Sequence, residues 1–166
     1  MIGLGRIGLR VAELALAFGA DVFFWSRNHN KEAEAKRIKY QDIETLLSEC
    51  DFISLHLALN KETEFFLYEA CVEKIKSGAL LLNLAPNELI DYNALEKRIA
   101  IGDIVYIMDH TDELMPEQAK RLLRYKNCIM YPPIGYTTKE ATVKKQEIFV
   151  ENIESFLKGA PMNKVN

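Results

Sequence analysis

Three glycines near the start of the chain have the spacing of a phosphate-binding turn. Gly3, Gly5 and Gly8 form a Gly-x-Gly-x-x-Gly pattern. In such a turn the first glycine permits a tight bend, the second lets the backbone approach a pyrophosphate, and the third lets a helix pack closely on a strand. The N–H groups at the start of that helix point at the anion. The pattern predicts dinucleotide binding, and the alternative is that the glycines only form a tight turn.

The residues at the end of the second predicted strand, 21–26, and just after it are those that would contact the adenosine ribose of a dinucleotide. A carboxylate at this point repels the 2′-phosphate of NADP, whereas a hydroxyl and a guanidinium accept it. This chain has Ser26 and Arg27 there. The sequence therefore favours NADP(H) over NAD(H), and the alternative is that Arg27 is a surface residue with no ligand.

The elements that must position these residues alternate along the chain. Apolar residues from Ile7 to Phe18 recur at helical spacing after the glycines, and Gly19 ends that helix. This alternation predicts an α/β fold, a Rossmann-type doubly wound parallel sheet in a single domain over 1–166. Further helices are predicted over 42–49, 68–76, 91–99, 116–123 and 138–157, and strands over 21–26, 52–56, 79–84, 104–108 and 128–131.

The first strand is predicted to be truncated. Only Met1 and Ile2 precede the glycine turn, although the motif needs a strand of about five or six residues before it. Either the chain is a fragment of something longer or its central strand is a stub. A segment missing from the N-terminus is one place where a substrate domain would be encoded.

Composition narrows the class of protein. A chain of 166 residues with 49% apolar residues supports one domain, or at most one and a half, with a real core. Its net charge of −3 does not indicate the positively charged surface that binds nucleic acid. The basic groups at 36–39 and 144–145 alternate with Glu and are predicted to lie on solvated helix faces.

Cysteine usage and hydropathy indicate a cytoplasmic protein. Cys50, Cys71 and Cys128 are an odd, widely spaced set, so we predict buried reduced thiols, with neither a disulfide framework nor a metal site. No apolar run approaches the roughly 20 residues of a membrane span, and the N-terminus does not have the pattern of a signal peptide. We therefore expect no membrane partner.

Several motifs beyond the glycine turn occur in one characteristic order. They are 46–56 (LLSECDFISLH) leading to Glu62-Thr63, Asn83-Leu84-Ala85, Asp91 with Ala94-Leu95, 132–138 (PPIGYTT), and 152–159 (NIESFLKG) with Pro161 and Val165-Asn166. In this order the chain resembles the D-isomer-specific 2-hydroxyacid dehydrogenases over essentially its whole length.

The resemblance implies a nicotinamide-binding domain that pairs, in the family, with a substrate domain built from the N-terminal region and the last residues. The tail, about 158–166, would return to that domain. The family reduces 2-keto acids: an Arg holds the substrate carboxylate, and a His oriented by a Glu passes a proton to the carbonyl oxygen as hydride arrives. The resemblance also implies a two-fold homodimer of nucleotide domains.

This chain departs from the family at all three catalytic positions. Pro86 replaces the substrate-binding Arg, and Pro133 replaces the general-acid His. Leu114 aligns without gaps with the Glu, one residue from Glu113. A proline side chain has neither a charge nor a proton to donate, so the chain lacks the groups for ordinary turnover.

Three residues at predicted strand ends have both a functional and a structural interpretation. Asp109 matches the family Asp that contacts the nicotinamide carboxamide, or is a buried Asp that backbone donors satisfy. His56 matches a position often filled by His in the cofactor cleft, or is a packing histidine. His110, near Glu113, is a relocated acid or a solvated loop residue. The full predicted cofactor set is Gly3, Gly5, Arg6, Ile7, Gly8, Ser26, Arg27, His56, Leu57, Leu84, Ala85, Asp109 and Gly135.

Two functions remain open on these observations. One is a polypeptide, or part of one, that transfers hydride between NAD(P) and a 2-hydroxy or 2-keto acid. The other is a catalytically silent dinucleotide-binding module that acts as a sensor or dimerisation unit. The motifs favour the first and the three lost side chains favour the second. We therefore expect an NAD(P)-binding domain of a dehydrogenase-like protein that is not catalytically competent alone.

Overall fold

The computed structural model describes residues 1–164 and divides them into two compact units. The first unit, Met1–Pro132, contains every described strand and six of the described helices, and the second unit begins at Pro133. Val165 and Asn166, which belong to the family-like C-terminal motif and to the predicted tail, lie outside the described residues.

Within residues 1–164, six short strands form the sheet, and every pairing between them is parallel. They are β1 (Phe23–Phe24), β2 (Lys39–Tyr40), β3 (Phe52–Leu55), β4 (Leu80–Asn83), β5 (Val105–Met108) and β6 (Cys128–Met130). Strands β3 to β6 lie side by side in chain order, and β1 pairs with β2. Ile2 forms parallel bridges to both Trp25 and Leu55. This one residue joins the two groups of strands, which confirms the truncated first strand.

Seven α-helices of the described part of the chain connect or follow these strands. They are α1 (Arg6–Ala17), α2 (Lys31–Ala35), α3 (Ile43–Glu49), α4 (Glu69–Glu73), α5 (Tyr92–Ile101), α6 (Pro116–Leu122) and α7 (Lys139–Leu157), with single 3₁₀ turns at Asn87–Leu89 and Thr111–Glu113. The Asp42 carboxylate accepts the N–H of Thr45 at the start of α3, and Asp91 caps α5 in the same way. Gly102 ends α5 in the left-handed conformation. These local signals explain why both helices begin where the sequence predicts.

The order of the strands reverses at Ile2. The chain runs from Ile2 through α1 to β1 and on to β2, returns through α3 to β3, and then proceeds through α4, α5 and α6 to β6. Because parallel crossovers are right-handed in nearly all proteins, this reversal places the helices of the two halves on opposite faces of the sheet. The predicted doubly wound Rossmann-type fold is confirmed. In such sheets a ligand binds at the reversal, outside the carboxyl ends of the strands.

The core lies around the central strands. Ile2, Leu81 and Tyr106 are completely buried, and a smaller cluster that includes Phe24 and Ile38 packs near β1 and β2. Cys71 and Cys128 are buried free thiols, as predicted, whereas Cys50 is only half-buried. Burial raises the pKa of the Cys128 thiol to about 11, so this cysteine stays a thiol at neutral pH.

The apolar residues that recur at helical spacing in α1 are not all buried. Ile7, Leu14 and Phe18 are exposed by 72%, 47% and 91%. Gly8 and Ala12 are the buried residues of this helix instead. Small side chains let the helix axis lie close to the sheet, and the larger apolar residues are left on the outer side.

The basic group at 36–39 also differs from its prediction. Lys36 caps the end of α2, Arg37 has a positive φ of 68°, and Lys39 lies in β2. All three side chains are exposed to solvent, as predicted. They do not lie on one helix face, which is where they were predicted to lie.

The second unit contains one long helix. The Thr138 hydroxyl caps α7 by accepting the N–H of Ala141 at 3.1 Å. Gly159 follows the helix with a φ of 74°, so the predicted limits of this helix are confirmed. Across residues 1–164 no helix has the length and apolarity needed to span a membrane.

Candidate functional site

The glycine turn has three different steric environments at its three glycines. Gly3 has a φ of 92°, and a Cβ at this residue would lie 2.7 Å from the carbonyl oxygen of His56. A Cβ at Gly8 would collide with the carbonyl oxygen of Gly3. A Cβ at Gly5 would meet nothing within 4 Å. Gly3 and Gly8 are therefore required by packing, while Gly5 borders the open space that an approaching phosphate needs.

Helix α1 starts at this open space. Gly5 is its N-cap residue, and no side chain caps the helix there. Arg6 and Ile7 in the first turn are exposed. The N–H groups of a first helical turn have no partner within the helix, and they carry the positive end of the helix dipole. This end of α1 can bind an anion through its backbone.

The turn borders a cleft of about 600 Å³ at the reversal of the strand order. Its walls come from the glycine turn, the loop after β1 and the loop after β3. The structure thus brings together six of the predicted cofactor residues from three separate segments. The lining residues are Gly3, Leu4, Gly5, Trp25, Ser26, Arg27, Asn28, His29, Asn30, Lys31, His56, Leu57, Ala58 and Thr63.

His56 lies half-buried at the floor of this cleft. Its ring Nε2 is 2.9 Å from the hydroxyl of Ser54, and its backbone N–H donates to the carbonyl of Ile2 at 2.7 Å. Burial, together with the nearby Met1 ammonium group, lowers the pKa of His56 to about 4. The imidazole is neutral at pH 7, which suits a wall of a cofactor cleft and a packing residue equally.

Ser26 and Arg27 lie at the rim of the cleft. The Ser26 hydroxyl donates to the carbonyl of Asn28 at 2.5 Å. The Arg27 guanidinium donates to the Glu62 carboxylate at 2.6 Å, and both side chains are about 70% exposed. The sequence did not predict the pairing of Arg27 with Glu62, because the two residues are 35 positions apart along the chain.

Aromatic side chains near β1 and β2 support the same rim. Trp25 lines the cleft and packs on Phe66 with a ring-centroid separation of 4.6 Å. His29 also lines the cleft. Its ring stacks on Tyr40 at 4.0 Å.

Asp109 follows β5 and carries an unsatisfied acceptor. Its Oδ1 is buried and has no hydrogen-bond partner within residues 1–164. His110 Nε2 lies 3.7 Å from this oxygen, which is too long for a hydrogen bond. A buried acceptor without a partner is costly, so this oxygen suits a ligand N–H such as that of a carboxamide.

The position of the family Arg is surrounded by a neutral hydrogen-bond network. Pro86 precedes Asn87, whose Nδ2 donates to the carbonyl of His110 at 2.8 Å. The Tyr92 hydroxyl donates to Asn87 Oδ1 at 2.8 Å and lies 2.9 Å from the Tyr106 hydroxyl. Burial raises the pKa of both phenols, that of Tyr106 to about 12. This buried cluster supplies no positive charge for a substrate carboxylate. The sequence alone did not predict the cluster.

His110 and Glu113 lie together near the carboxyl end of β5. His110 Nδ1 is 3.2 Å from Glu113 Oε1, and the imidazole is mostly buried. Leu114, aligned with the family Glu, packs against the core instead. The spacing that suggested a His and Glu pair therefore corresponds to a real contact.

The remaining predicted residues are placed as follows. Leu84 is 46% exposed and Ala85 is buried, and the N–H of Ala85 donates to Asn83 Oδ1 at 3.1 Å. Pro133 and Gly135 belong to the second unit. In the part of the chain that the structure describes, no cluster of His, Cys, Asp and Glu has the arrangement of a metal site.

Comparison with known proteins gives a consistent match. Residues 1–135 match the family model described as D-isomer specific 2-hydroxyacid dehydrogenase, NAD binding domain. The glyoxylate reductase of Thermococcus litoralis is 38% identical over 168 residues, which cover all of this chain and 51% of that protein. The chain thus spans about half the length of the curated relatives it matches.

Solved structures match the fold with the same coverage. The NAD-complexed D-isomer specific 2-hydroxyacid dehydrogenase from Lactobacillus delbrueckii ssp. bulgaricus superposes with a TM-score of 0.87 at 31% identity, over 99% of this chain and 54% of that one. An acyclic imino acid reductase in complex with NADPH and D-Arg superposes with a TM-score of 0.86 at 30% identity, over 99% and 52%. The two matched structures contain different nicotinamide dinucleotides.

Proposed function

Because this chain belongs to the D-isomer specific 2-hydroxyacid dehydrogenase family as its NAD-binding domain, we propose that it binds a nicotinamide dinucleotide in the cleft beside Gly5, with NADP(H) preferred over NAD(H), and that it is not catalytically competent alone. The observation that carries the proposal is the glycine turn, in which Gly3 and Gly8 pack tightly and Gly5 faces open space at the start of α1.

The residues present fit such a cofactor at both ends. The backbone at Gly3 and Gly5 would hold the pyrophosphate, with the start of α1 behind it. Asp109 Oδ1, buried and unpaired within residues 1–164, would accept a hydrogen bond from the carboxamide. A bound nicotinamide supplies or accepts a hydride. His56 is neutral at pH 7, so it adds no charge beside the cofactor.

The preference for NADP(H) rests on the rim of the cleft. Ser26 and Arg27 are exposed enough to meet a 2′-phosphate, and His29 and Lys31 border the same cleft. A carboxylate that would select the ribose hydroxyls of NAD is absent from positions 26 and 27. One structural neighbour is bound to NADPH and another to NAD, so the family fold accepts both.

The proposed limit on catalysis rests on the neutral network behind Pro86. No cation in that network is available to clamp a carboxylate, and Pro133 has no proton to donate. The whole protein to which such a domain belongs would act on a 2-hydroxy or 2-keto acid, as the name of the glyoxylate reductase relative suggests. In that case 1–166 is one domain, and the tail at about 158–166 leads back to a substrate domain.

A second candidate is a silent dinucleotide-binding module that dimerises in the cytoplasm. The outward stripe of α1, Ile7, Leu14 and Phe18, is apolar and exposed, as a subunit contact requires. The three cysteines are free in the described chain, which agrees with a reducing compartment. Light scattering after size exclusion would test the homodimer, and Phe18→Ser should shift it toward the monomer.

Cofactor binding can be tested by thermal unfolding with NADPH and with NADH. A ligand that binds only the folded chain adds about 2.7 kcal/mol to the free energy of unfolding at about 100 times its dissociation constant. We expect a higher melting temperature with both cofactors and the larger shift with NADPH. No shift with either cofactor at millimolar concentration would contradict the proposal and leave the glycine turn a purely structural feature.

A further inference from the structure

An ion pair joins two of the loops at the adenosine end of the cleft. Arg27 comes from the loop after β1 and Glu62 from the loop after β3, and Arg27 Nη1 lies 2.6 Å from Glu62 Oε2. Both side chains are about 70% exposed, so a ligand can reach the pair. Arg27 is also the guanidinium proposed above to accept a 2′-phosphate.

The loop that carries Glu62 is held in place by its own hydrogen bonds. Thr63 is buried, and its hydroxyl donates to the carbonyl of Ala58 at 2.7 Å and accepts the N–H of Asn60 at 2.8 Å. The N–H of Glu62 donates to Asn60 Oδ1 at 2.8 Å. Because the backbone on both sides is fixed, the Glu62 carboxylate is held within reach of Arg27.

We propose that Glu62 is a specificity-determining residue that weakens the binding of NADP(H) relative to NAD(H). Its carboxylate occupies the guanidinium that a 2′-phosphate needs, and the two anions repel each other across the rim. NAD(H) has a hydroxyl at the 2′-position and avoids both costs. This inference rests on the proposed function, because it concerns the same cleft.

The affinity ratio of the two cofactors is the appropriate measurement. We expect Glu62→Gln to tighten NADPH binding by about twofold to fivefold, the range of an exposed ion pair, and to leave NADH binding unchanged. Fluorescence titration of both cofactors at low salt would give the two dissociation constants. The gain should shrink at high salt, because exposed charges are screened.

A matched control is available in the same loop. Glu64 is exposed, and it makes no ion pair within the described residues. Glu64→Gln removes the same charge two residues away, so we expect it to leave the cofactor ratio nearly unchanged. A second control is Glu62→Gln in an Arg27→Gln background, where the gain in NADPH affinity should largely disappear.

The outcomes separate this inference from the function on which it rests. If the unmodified chain binds both cofactors and Glu62→Gln leaves their ratio unchanged, or weakens NADPH, the inference is wrong and the proposed function stands. An equal gain with Glu64→Gln would also overturn it, because that result would reflect net charge alone. If neither cofactor binds the unmodified chain, the proposed function and the inference fall together.

Discussion

Ser26 is the residue at which we expect a substitution to change the choice of cofactor most directly. Ser26→Asp places a carboxylate at the rim, where it repels a 2′-phosphate and offers an acceptor to the ribose hydroxyls. We expect NADPH to lose about 1 to 2 kcal/mol of binding free energy and NADH to become the tighter ligand. Titration of both cofactors checks this. Ser48→Asp, on an exposed face of α3 away from the cleft, is the control for added charge, and an unchanged preference in Ser26→Asp would remove this residue from the explanation.

His56 makes stability depend on pH. Its pKa in the folded chain is about 4, below the ordinary value of 6.5, so between these values the unfolded chain binds a proton that the folded chain does not. The free energy of unfolding should therefore fall as the pH drops from 6.5 toward 4, and His56 should have no effect above pH 6.5. We expect a loss of about 1 to 2 kcal/mol, reduced from the full shift because the ring is partly solvated.

The matched variant for this prediction is His56→Gln, which keeps a polar side chain but does not titrate. Denaturant unfolding of both proteins at pH 7 and pH 5 shows how much the free energy of unfolding changes with pH in each protein. Equal pH dependence in the two proteins would show that other groups, and not His56, control the acid sensitivity.

At the residue scale the sequence predicted the glycines, Ser26, Arg27, His56 and Asp109, because each occupies a motif of local residues. It did not predict contacts made by residues far apart in the chain. Two examples are the ion pair of Arg27 with Glu62 and the hydrogen-bond network of Asn87. Both depend on how loops from different strands meet in the fold, and the spacing of residues along the sequence does not indicate this. Sequence spacing did suggest the contact of His110 with Glu113, because both residues lie in one short loop.

The glycine turn and α1 act as one element, and two substitutions separate their roles. Gly8→Ala would push a methyl group into the carbonyl of Gly3, so we expect a loss of about 1 to 3 kcal/mol in the free energy of unfolding. Gly5→Ala meets open space at a permitted φ of −78°, so stability should change by less than about 0.5 kcal/mol. Cofactor binding should nevertheless fall sharply in Gly5→Ala, because the methyl group occupies the place of the phosphate.

Thermal unfolding with and without cofactor measures both effects in the same samples. Gly78→Ala is a control for the loss of a glycine, since Gly78 lies away from the cleft and has open space around it, although its φ of 85° adds strain. A Gly5→Ala chain that binds NADPH as tightly as the unmodified chain would show that the phosphate does not approach this turn.

The elements themselves were predictable where local chemistry defines their ends. Asp42, Asp91 and Gly102 specify helix limits within a few residues, and the apolar runs specify β3 to β5. Strand β2 and helix α2 were not predicted, because a two-residue strand has no pattern of its own and forms only by pairing with β1. The helical spacing of the apolar residues predicts that α1 forms but not which side packs on the sheet, and in the structure Gly8 and Ala12 are its buried residues.

At the scale of the whole molecule, the chain belongs to a dehydrogenase family as its NAD-binding domain, and prolines occupy two positions where the resemblance to that family implies an Arg and a His. The chain spans about half of the relatives that it matches, and the strand-end position of the family Arg is occupied by a proline beside a neutral hydrogen-bond network. The proline and the neutral network remove the charge that would hold the carboxylate of a 2-keto acid.

We therefore expect the isolated chain to reduce glyoxylate, pyruvate, hydroxypyruvate and phenylpyruvate far more slowly than a typical member of the family. Loss of a general acid alone commonly lowers the reaction rate by about 10²- to 10⁴-fold. Loss of substrate positioning lowers the rate further. The assay follows the absorbance of NADPH and NADH, with Pro86→Arg, Pro133→His and the double variant measured beside the unmodified chain. Robust turnover by the unmodified chain that His110→Ala abolishes would contradict this expectation, because the pair of His110 with Glu113 would then be a relocated acid. Turnover that survives His110→Ala would contradict it in a different way, by requiring an acid elsewhere in the chain.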